Sequence, residues 1–250
     1  MDNVLGVFGD SFAVAHPAPC IIGKPWPTIF AKKFNMKLDC YATPGTSIWW
    51  SYQLFLKHHE KYKFIVFCYS QHNRWHHLSE ECVGLYHMTV PKPYIPEPVT
   101  KERLKIVEIL NSAYRYVASE ELDTFIFQEV FNKVNKICKE KNIILVNLLP
   151  FETGTNIIDY SEAAGPLISN LERLTWIERS QLTNEQDEAF CEMINKGDVR
   201  PCHMSAKHNE LLVTLITEQL RETEYKMIDI CQDPRVSGDP LDNEGLYEVI

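Results

Sequence analysis

Short, uninterrupted apolar runs alternate with segments of helical periodicity, and this alternation is the feature that most constrains the fold. The runs lie at 4–8 (VLGVF), 63–70 (KFIVFCYS) and 142–150 (NIILVNLLP), with a weaker one at 36–42 (MKLDCYA). Strands that are apolar along their whole length are typical of parallel sheets, because such sheets are covered on both faces. The pattern therefore predicts an α/β fold with a mainly parallel sheet between layers of helices.

The segments between the apolar runs predict most of the helices. Helical spacing covers 26–34, 46–62, 101–141 with a break near Ser119, 164–177, 184–195 and 205–222. Residues 72–100 instead contain prolines at 91, 93, 96 and 98, which exclude a regular helix or a central strand. We expect one domain over 1–222 with an irregular insertion at about 72–100, followed by an acidic C-terminal tail over 223–250.

Composition argues against several classes of partner and compartment. The net charge of −9 disfavours nucleic-acid binding, which relies on basic surfaces. The N-terminus, MDNVLGVFGDS, lacks the basic and apolar regions of a signal peptide, and no apolar run approaches the ~20 residues of a membrane span. The sequence has eight cysteines and no CxxC motif, and these cysteines are predicted to be buried free thiols. These features predict a soluble protein of the cytoplasm (a host cytoplasm if the source is viral), with neither nucleic acid nor membrane as a partner.

Polar and small residues follow the first three apolar runs. Ser11 comes after the first run, Gly45 after the second, and Ser70, Gln71 and Asn73 at or after the end of the third. The carboxyl ends of parallel strands lie at one edge of the sheet, where ligands bind in such folds. We therefore expect these residues to share one edge, whatever the order of the strands.

This set of residue types suits acyl transfer. A serine hydroxyl becomes a nucleophile when a base removes its proton, and attack on an ester needs donors for the oxyanion. The backbone N–H groups of Ser11 and Gly45 and a side-chain amide from Gln71 or Asn73 are candidate donors. The leading base is His203, which precedes the last strong helix; alternatively, His203 only caps or packs against that helix.

Two further kinds of residue receive structural interpretations. Asp10 is expected to brace the turn by hydrogen bonds. Histidines are concentrated in the first 90 residues, at 58, 59, 72, 76, 77 and 87, but their spacing matches no metal-binding motif. We therefore expect neither a metal nor a cofactor.

Four blocks, taken in order, resemble the SGNH (GDSL-type) hydrolase family. They are FGDSFA at 8–13, ATPGTSIWW at 42–50, IVFCYSQHNRW at 65–75 and DVRPCHMSAKHNELL at 198–212. The resemblance implies a three-layer α/β/α sandwich with a flavodoxin-like sheet. It also implies that Ser11 is the nucleophile, His203 the base, and Gly45 and a residue near 71–73 the oxyanion donors.

The chain departs from the family pattern in two blocks. The third block usually reads Gly-x-Asn-Asp, whereas this chain has YSQHNR, so Asn73 and Gln71 remain alternatives for the third donor. The family's aspartate three residues before the histidine is replaced by Arg200. Either Asp198 orients His203, or a backbone carbonyl does so in a Ser–His dyad. The altered last block is similar to divergent members encoded by phages.

The resemblance implies an esterase acting on a small-molecule or glycan ester, such as a carbohydrate O-acetyl group or another small acyl ester. The alternative is an inactive protein of the same fold, either a binding module or a virion component, that recognises a glycan or a protein.

Overall fold

The fold is built on one parallel sheet of six strands. The computed structural model describes residues 3–15, 25–43, 46–71, 120–151, 158–171, 204, 206–222, 224–225 and 227–236. Within these residues the strands are β1 (Val4–Phe8), β2 (Lys37–Cys40), β3 (Phe64–Cys68), β4 (Ile144–Leu149), β5 (Leu167–Ser169) and β6 (Met227–Asp229). Their spatial order is β2-β1-β3-β4-β5-β6, and every neighbouring pair is parallel. The first five strands follow the flavodoxin-like order, as expected.

Helices cover both faces of this sheet. They are α1 (Trp26–Lys33), α2 (Ile48–His58), α3 (Glu120–Lys141) and α4 (Ala206–Gln219). The buried side chains of α1 and α4 form one core cluster with alternate strand residues such as Val7 and Val66. Those of α2 and α3 form a second cluster with the intervening residues, such as Phe8 and Phe67. This arrangement confirms the three-layer α/β/α sandwich.

Local sequence explains where several helices begin and end. Ser47 caps α2, because its hydroxyl accepts a hydrogen bond from the Trp50 N–H at 3.3 Å. Asn35 and Asn142, which lie just beyond α1 and α3, adopt positive φ angles of 51° and 54°. Asparagine tolerates this left-handed conformation, which commonly terminates helices. These ends determine where the next strand enters the sheet.

The prediction of a helix over 164–177 is wrong where the structure describes that segment. Residues Leu167–Ser169 form β5, which pairs with β4 on one side and β6 on the other. Leu167 and Ile168 are buried on opposite faces of the sheet, so this short apolar segment alternates as a strand. Residues 227–229, within the stretch assigned to the acidic tail, form β6.

Some predicted elements lie outside the described residues. They are the insertion at 72–100, the part of the predicted helix before residue 120, and the helix at 184–195. Across the described parts of the chain, no helix combines the length and apolar composition required to cross a membrane.

Candidate active site

Ser11 begins a short 3-10 turn, Ser11–Ala13, three residues after the end of β1. Asp10 caps this turn: its carboxylate accepts a hydrogen bond from the Phe12 N–H at 3.0 Å, and its carbonyl accepts one from the Ala13 N–H at 3.0 Å. Asp10 is completely buried, whereas Ser11 is half-buried. Asp10 therefore braces the turn, as the sequence predicts, and Ser11 lies at the carboxyl edge of the sheet.

Gly9 is required by the close approach of β1 and β3. A Cβ atom at this position would lie 2.7 Å from the Cβ of Cys68 and 3.0 Å from the Cβ of Ala13. Both distances are shorter than normal van der Waals contact. The glycine of the Gly-Asp-Ser block therefore allows the chain to leave β1 beside β3 and to place Ser11 at the edge.

Hydrogen bonds join the ends of the first three strands. The Thr43 N–H donates to the Gly9 carbonyl at 3.2 Å, and the Thr46 hydroxyl donates to the Thr43 carbonyl at 2.8 Å. The Ser70 hydroxyl, just beyond β3, donates to the Thr46 carbonyl at 2.9 Å. The structure thus confirms that the described parts of the first three blocks share one edge. Gly45, between Thr43 and Thr46 in sequence, lies outside the described residues.

Of the candidate amide donors, Gln71 is described and Asn73 is not. Gln71 is half-buried and lies three residues beyond the end of β3, on the same edge as Ser11. His203, Asp198 and Arg200 also lie outside the described residues. The assignments of the base, of the residue that orients it and of the third donor therefore stay predictions.

Met204, which directly follows His203 in sequence, is connected to the Ser11 turn by hydrogen bonds through the side chains of Asn209 and Trp26. Met204 is buried, and its carbonyl accepts a hydrogen bond from the Asn209 side-chain amide at 3.2 Å. The Asn209 side-chain oxygen accepts one from the Trp26 N–H at 2.8 Å. The Trp26 indole N–H in turn donates to the Phe12 carbonyl at 2.7 Å.

Sequence reasoning did not identify Trp26 or Asn209 as residues of this region. The available signal was weak: asparagine has a low helix propensity, yet Asn209 lies inside α4. Such a residue within an otherwise favourable helical segment indicates that its side chain has a tertiary hydrogen-bonding role.

Cys40 lies beside the same turn, at the end of β2. Its thiol donates to the Ala13 carbonyl at 3.3 Å. Burial raises the pKa of this thiol, which keeps the sulfur protonated near neutral pH. Cys40 therefore contributes a neutral contact to the turn.

The histidines at 58 and 59 have local contacts. The His59 Nδ1 atom lies 3.1 Å from the Phe55 carbonyl oxygen, and the His58 ring stacks on Tyr41 with centroids 4.6 Å apart. Within the described ranges, no group of three or more His, Cys, Asp or Glu side chains could hold a metal ion.

Comparisons with known proteins find similarity in structure. No family model matches the chain, and no curated protein matches it. Solved structures similar to it include a GDSL-type lipolytic protein and esterases. One is a lipolytic protein of the G-D-S-L family from Desulfitobacterium hafniense, with 12% identity and a TM-score of 0.34, covering 62% of this chain and 65% of that chain. This chain thus spans just under two thirds of that protein's length.

Two further matches are esterases. One is a carbohydrate esterase whose active site displays divergent catalytic and non-catalytic binding functions. It has 12% identity and a TM-score of 0.41, and the match covers 89% of this chain and 70% of that one. The psychrotrophic esterase EstA from Pseudoalteromonas sp. has 8% identity and a TM-score of 0.38, covering 88% and 97%.

Proposed function

We propose that this chain is a serine hydrolase that cleaves a carboxylic ester with Ser11 as the nucleophile. The observation that carries the proposal is the position of Ser11 on a capped turn at the carboxyl edge of the sheet. There the ends of β1, β2 and β3 are joined by hydrogen bonds through Gly9, Thr43, Thr46 and Ser70. Substrates of α/β proteins bind at this edge, and Ser11 is half-buried there.

In the proposed reaction, the Ser11 hydroxyl attacks the ester carbonyl while His203 accepts its proton. The oxyanion of the tetrahedral intermediate accepts hydrogen bonds from the N–H groups of Ser11 and Gly45 and from the amide of Asn73 or Gln71. His203 then protonates the departing alkoxide, which leaves as the alcohol. Water, deprotonated by His203, then attacks the acyl-serine; the bond to Ser11 Oγ breaks, His203 returns the proton to that oxygen, and the carboxylic acid is released. Asp198 orients the imidazole in this scheme.

We propose a small acyl ester as the substrate, with a carbohydrate O-acetyl group as the first candidate. The resemblance to SGNH hydrolases supports this class. A further support is Trp49, which lies in the same block as Gly45, at the start of α2, and is 45% exposed. An exposed indole offers a flat apolar surface against which a sugar ring or an acyl chain packs. The chemistry requires no cofactor.

The Ser11→Ala variant tests the proposal. We expect it to fold and to lose at least about 10³-fold in kcat for p-nitrophenyl acetate, because the nucleophile is removed. Ser161→Ala is the matched control: Ser161 also lies in a 3-10 turn, with Asp159 bonded to its N–H and its hydroxyl, and is exposed. A Ser11→Ala rate equal to that of the parent and of the control would contradict the proposal.

A second candidate is an inactive binding module or virion component that recognises a glycan or a protein. The altered third block, YSQHNR, and the replacement of the family's aspartate by Arg200 favour it. A fluorophosphonate probe separates the two functions. Covalent labelling of Ser11 supports the hydrolase, whereas unlabelled folded protein that is retained on an acetylated-glycan column supports the binding module.

A further inference from the structure

The two residues flanking Ser11 are held by different contacts. Asp10 caps the turn, while the Phe12 carbonyl accepts a hydrogen bond of 2.7 Å from the Trp26 indole. Trp26 is only 1% exposed and begins α1. The first residue of α1 is thus hydrogen-bonded directly to the carbonyl of the residue that follows Ser11.

Asn209 extends this connection to a distant part of the chain. Its side-chain oxygen accepts from the Trp26 N–H, and its side-chain amide donates to the Met204 carbonyl. One side chain therefore joins the start of α1 to the residue that directly follows His203 in sequence. Trp26 and Asn209 are 183 residues apart, so the connection is tertiary.

Burial makes this connection rigid. Phe12, Trp26, Met204 and Asn209 are 7%, 1%, 8% and 5% exposed, respectively. A hydrogen bond shielded from water is difficult to replace, because breaking it leaves a buried donor or acceptor unpaired. The carbonyls of Phe12 and Met204 are therefore held in a fixed relation to each other.

We propose that Trp26 and Asn209 are positioning residues of the ester hydrolysis, which tie the Ser11 turn to Met204 and so to the peptide of His203. This inference rests on the proposed function and adds two residues that touch neither the substrate nor the reacting atoms. A serine and its base need alignment within a fraction of an ångström, and a displacement of about 1 Å is sufficient to cost ~10²-fold in rate.

Two substitutions break the connection at different points. Asn209→Asp keeps the acceptor for the Trp26 N–H but replaces the amide that donates to Met204. Trp26→Phe keeps most of the ring but removes the N–H that donates to Phe12. We expect each to lower kcat for p-nitrophenyl acetate by about 10- to 100-fold with KM changed less than about threefold, since the reacting groups are misaligned while the substrate surface remains.

Thr217→Val is the matched control. Thr217 is also a buried polar residue of α4, and its hydroxyl donates to the Val213 carbonyl at 2.6 Å. This variant removes a buried hydrogen bond from the same helix without touching the connection, and we expect it to keep the parental kcat. Equal losses of kcat in Thr217→Val and Asn209→Asp would overturn the proposal, because they would reflect general destabilisation of α4.

The outcomes distinguish this inference from the proposed function. A Ser11→Ala variant as active as the parent overturns the hydrolase itself. Loss of activity in Ser11→Ala, together with parental kcat in both Asn209→Asp and Trp26→Phe, overturns only the positioning roles.

A measurement without turnover completes the test. NMR of ¹³C-labelled histidine reports the His203 ring, whose resonances we expect to shift when Ser11→Ala is introduced into the parent. The same substitution in the Asn209→Asp background should leave them unshifted, because the two groups are no longer aligned. An equal response in both backgrounds, or no response in the parent, would contradict the proposal.

Discussion

At the scale of single residues, the surroundings of Ser11 restrict its backbone from both sides. The carboxylate and carbonyl of Asp10 accept hydrogen bonds from the N–H groups of Phe12 and Ala13, and the Trp26 indole donates to the Phe12 carbonyl. A nucleophile on a restrained backbone loses little conformational freedom when it reaches the geometry of attack. The Gly-Asp-Ser block therefore combines a close approach at Gly9, a cap at Asp10 and a hydroxyl at Ser11.

The close approach at Gly9 leads to a prediction about Gly9→Ala. The added methyl group would meet the Cβ atoms of Cys68 and Ala13, so we expect the free energy of unfolding to fall by about 1–3 kcal/mol. We also expect the folded variant to lose most of its esterase activity, because β1 must shift where the Ser11 turn begins. Urea denaturation and p-nitrophenyl acetate hydrolysis measure the two effects.

Gly6→Ala is the control from the same strand. A Cβ atom there would lie 2.7 Å from the Tyr62 ring, away from the Ser11 turn. We expect this variant to lose stability and to retain the activity of its folded fraction. Parental activity in Gly9→Ala would show that the turn does not depend on the close approach.

At the scale of elements, the length of a pattern decided what the sequence could predict. Strand β3 agrees with its prediction within about two residues, because it is a continuous apolar run. Helix α2 begins two residues after and ends four residues before its predicted limits, because its helical period is sustained only over that part. Strand β5 has three residues, too few to show alternation, and was predicted as part of a helix.

The candidate site likewise has one part that the sequence could predict and one part that it could not. The shared edge of the first three blocks follows from parallel pairing and was predictable. The contact between Trp26 and Asn209 was not, since neither motif nor periodicity specifies a hydrogen bond between two distant helices.

A polar network couples α3 to the sheet and gives a prediction at this scale. Asn147, in the middle of β4, accepts hydrogen bonds from the Tyr69 hydroxyl at 2.9 Å and the Asn135 amide at 3.1 Å. All three side chains are buried. We expect Asn147→Ala to lower the free energy of unfolding by ~1–3 kcal/mol, because the buried Tyr69 hydroxyl loses its acceptor, whereas Asn135 keeps its bond to the Phe131 carbonyl.

Tyr69→Phe provides the comparison for this network. It removes one hydroxyl and leaves the hydrogen bonds between Asn147 and Asn135, so we expect a smaller loss of stability. The double variant should show a coupling energy of at least about 0.5 kcal/mol, because the two residues are in contact. Strictly additive losses in urea denaturation would contradict a coupled network.

At the scale of the whole molecule, the two faces of the sheet have different roles. The α1 and α4 face contains Trp26 and Met204, and thus the connection between the Ser11 turn and Met204. The α2 and α3 face contains Tyr69 and Cys138, whose ionisable groups are buried in the core. We therefore expect substitutions that break this connection to affect activity most, and substitutions of the buried ionisable groups on the second face to affect stability most.

The buried ionisable groups also determine how stability responds to alkaline pH. Burial raises the pKa of the Cys138 thiol from 9.0 to about 12 and raises that of Tyr69 well above its ordinary value of 10.0. Above pH 9.0 the thiol ionises in the unfolded chain but stays protonated in the folded one, so the unfolded state binds fewer protons. The stability due to this pKa difference is complete below pH 9.0 and is lost as the pH rises to about 12.

We expect the free energy of unfolding to decrease over this range with a contribution from Cys138 of up to about 1.4 kcal/mol per pH unit. Cys138→Ala should remove that contribution, so the variant should be less stable than the parent below pH 9.0 because of its cavity, and its stability should fall less steeply as the pH rises. Urea denaturation at a series of pH values gives both slopes. Equal slopes would mean that the Cys138 thiol ionises as readily in the folded protein as in the unfolded chain.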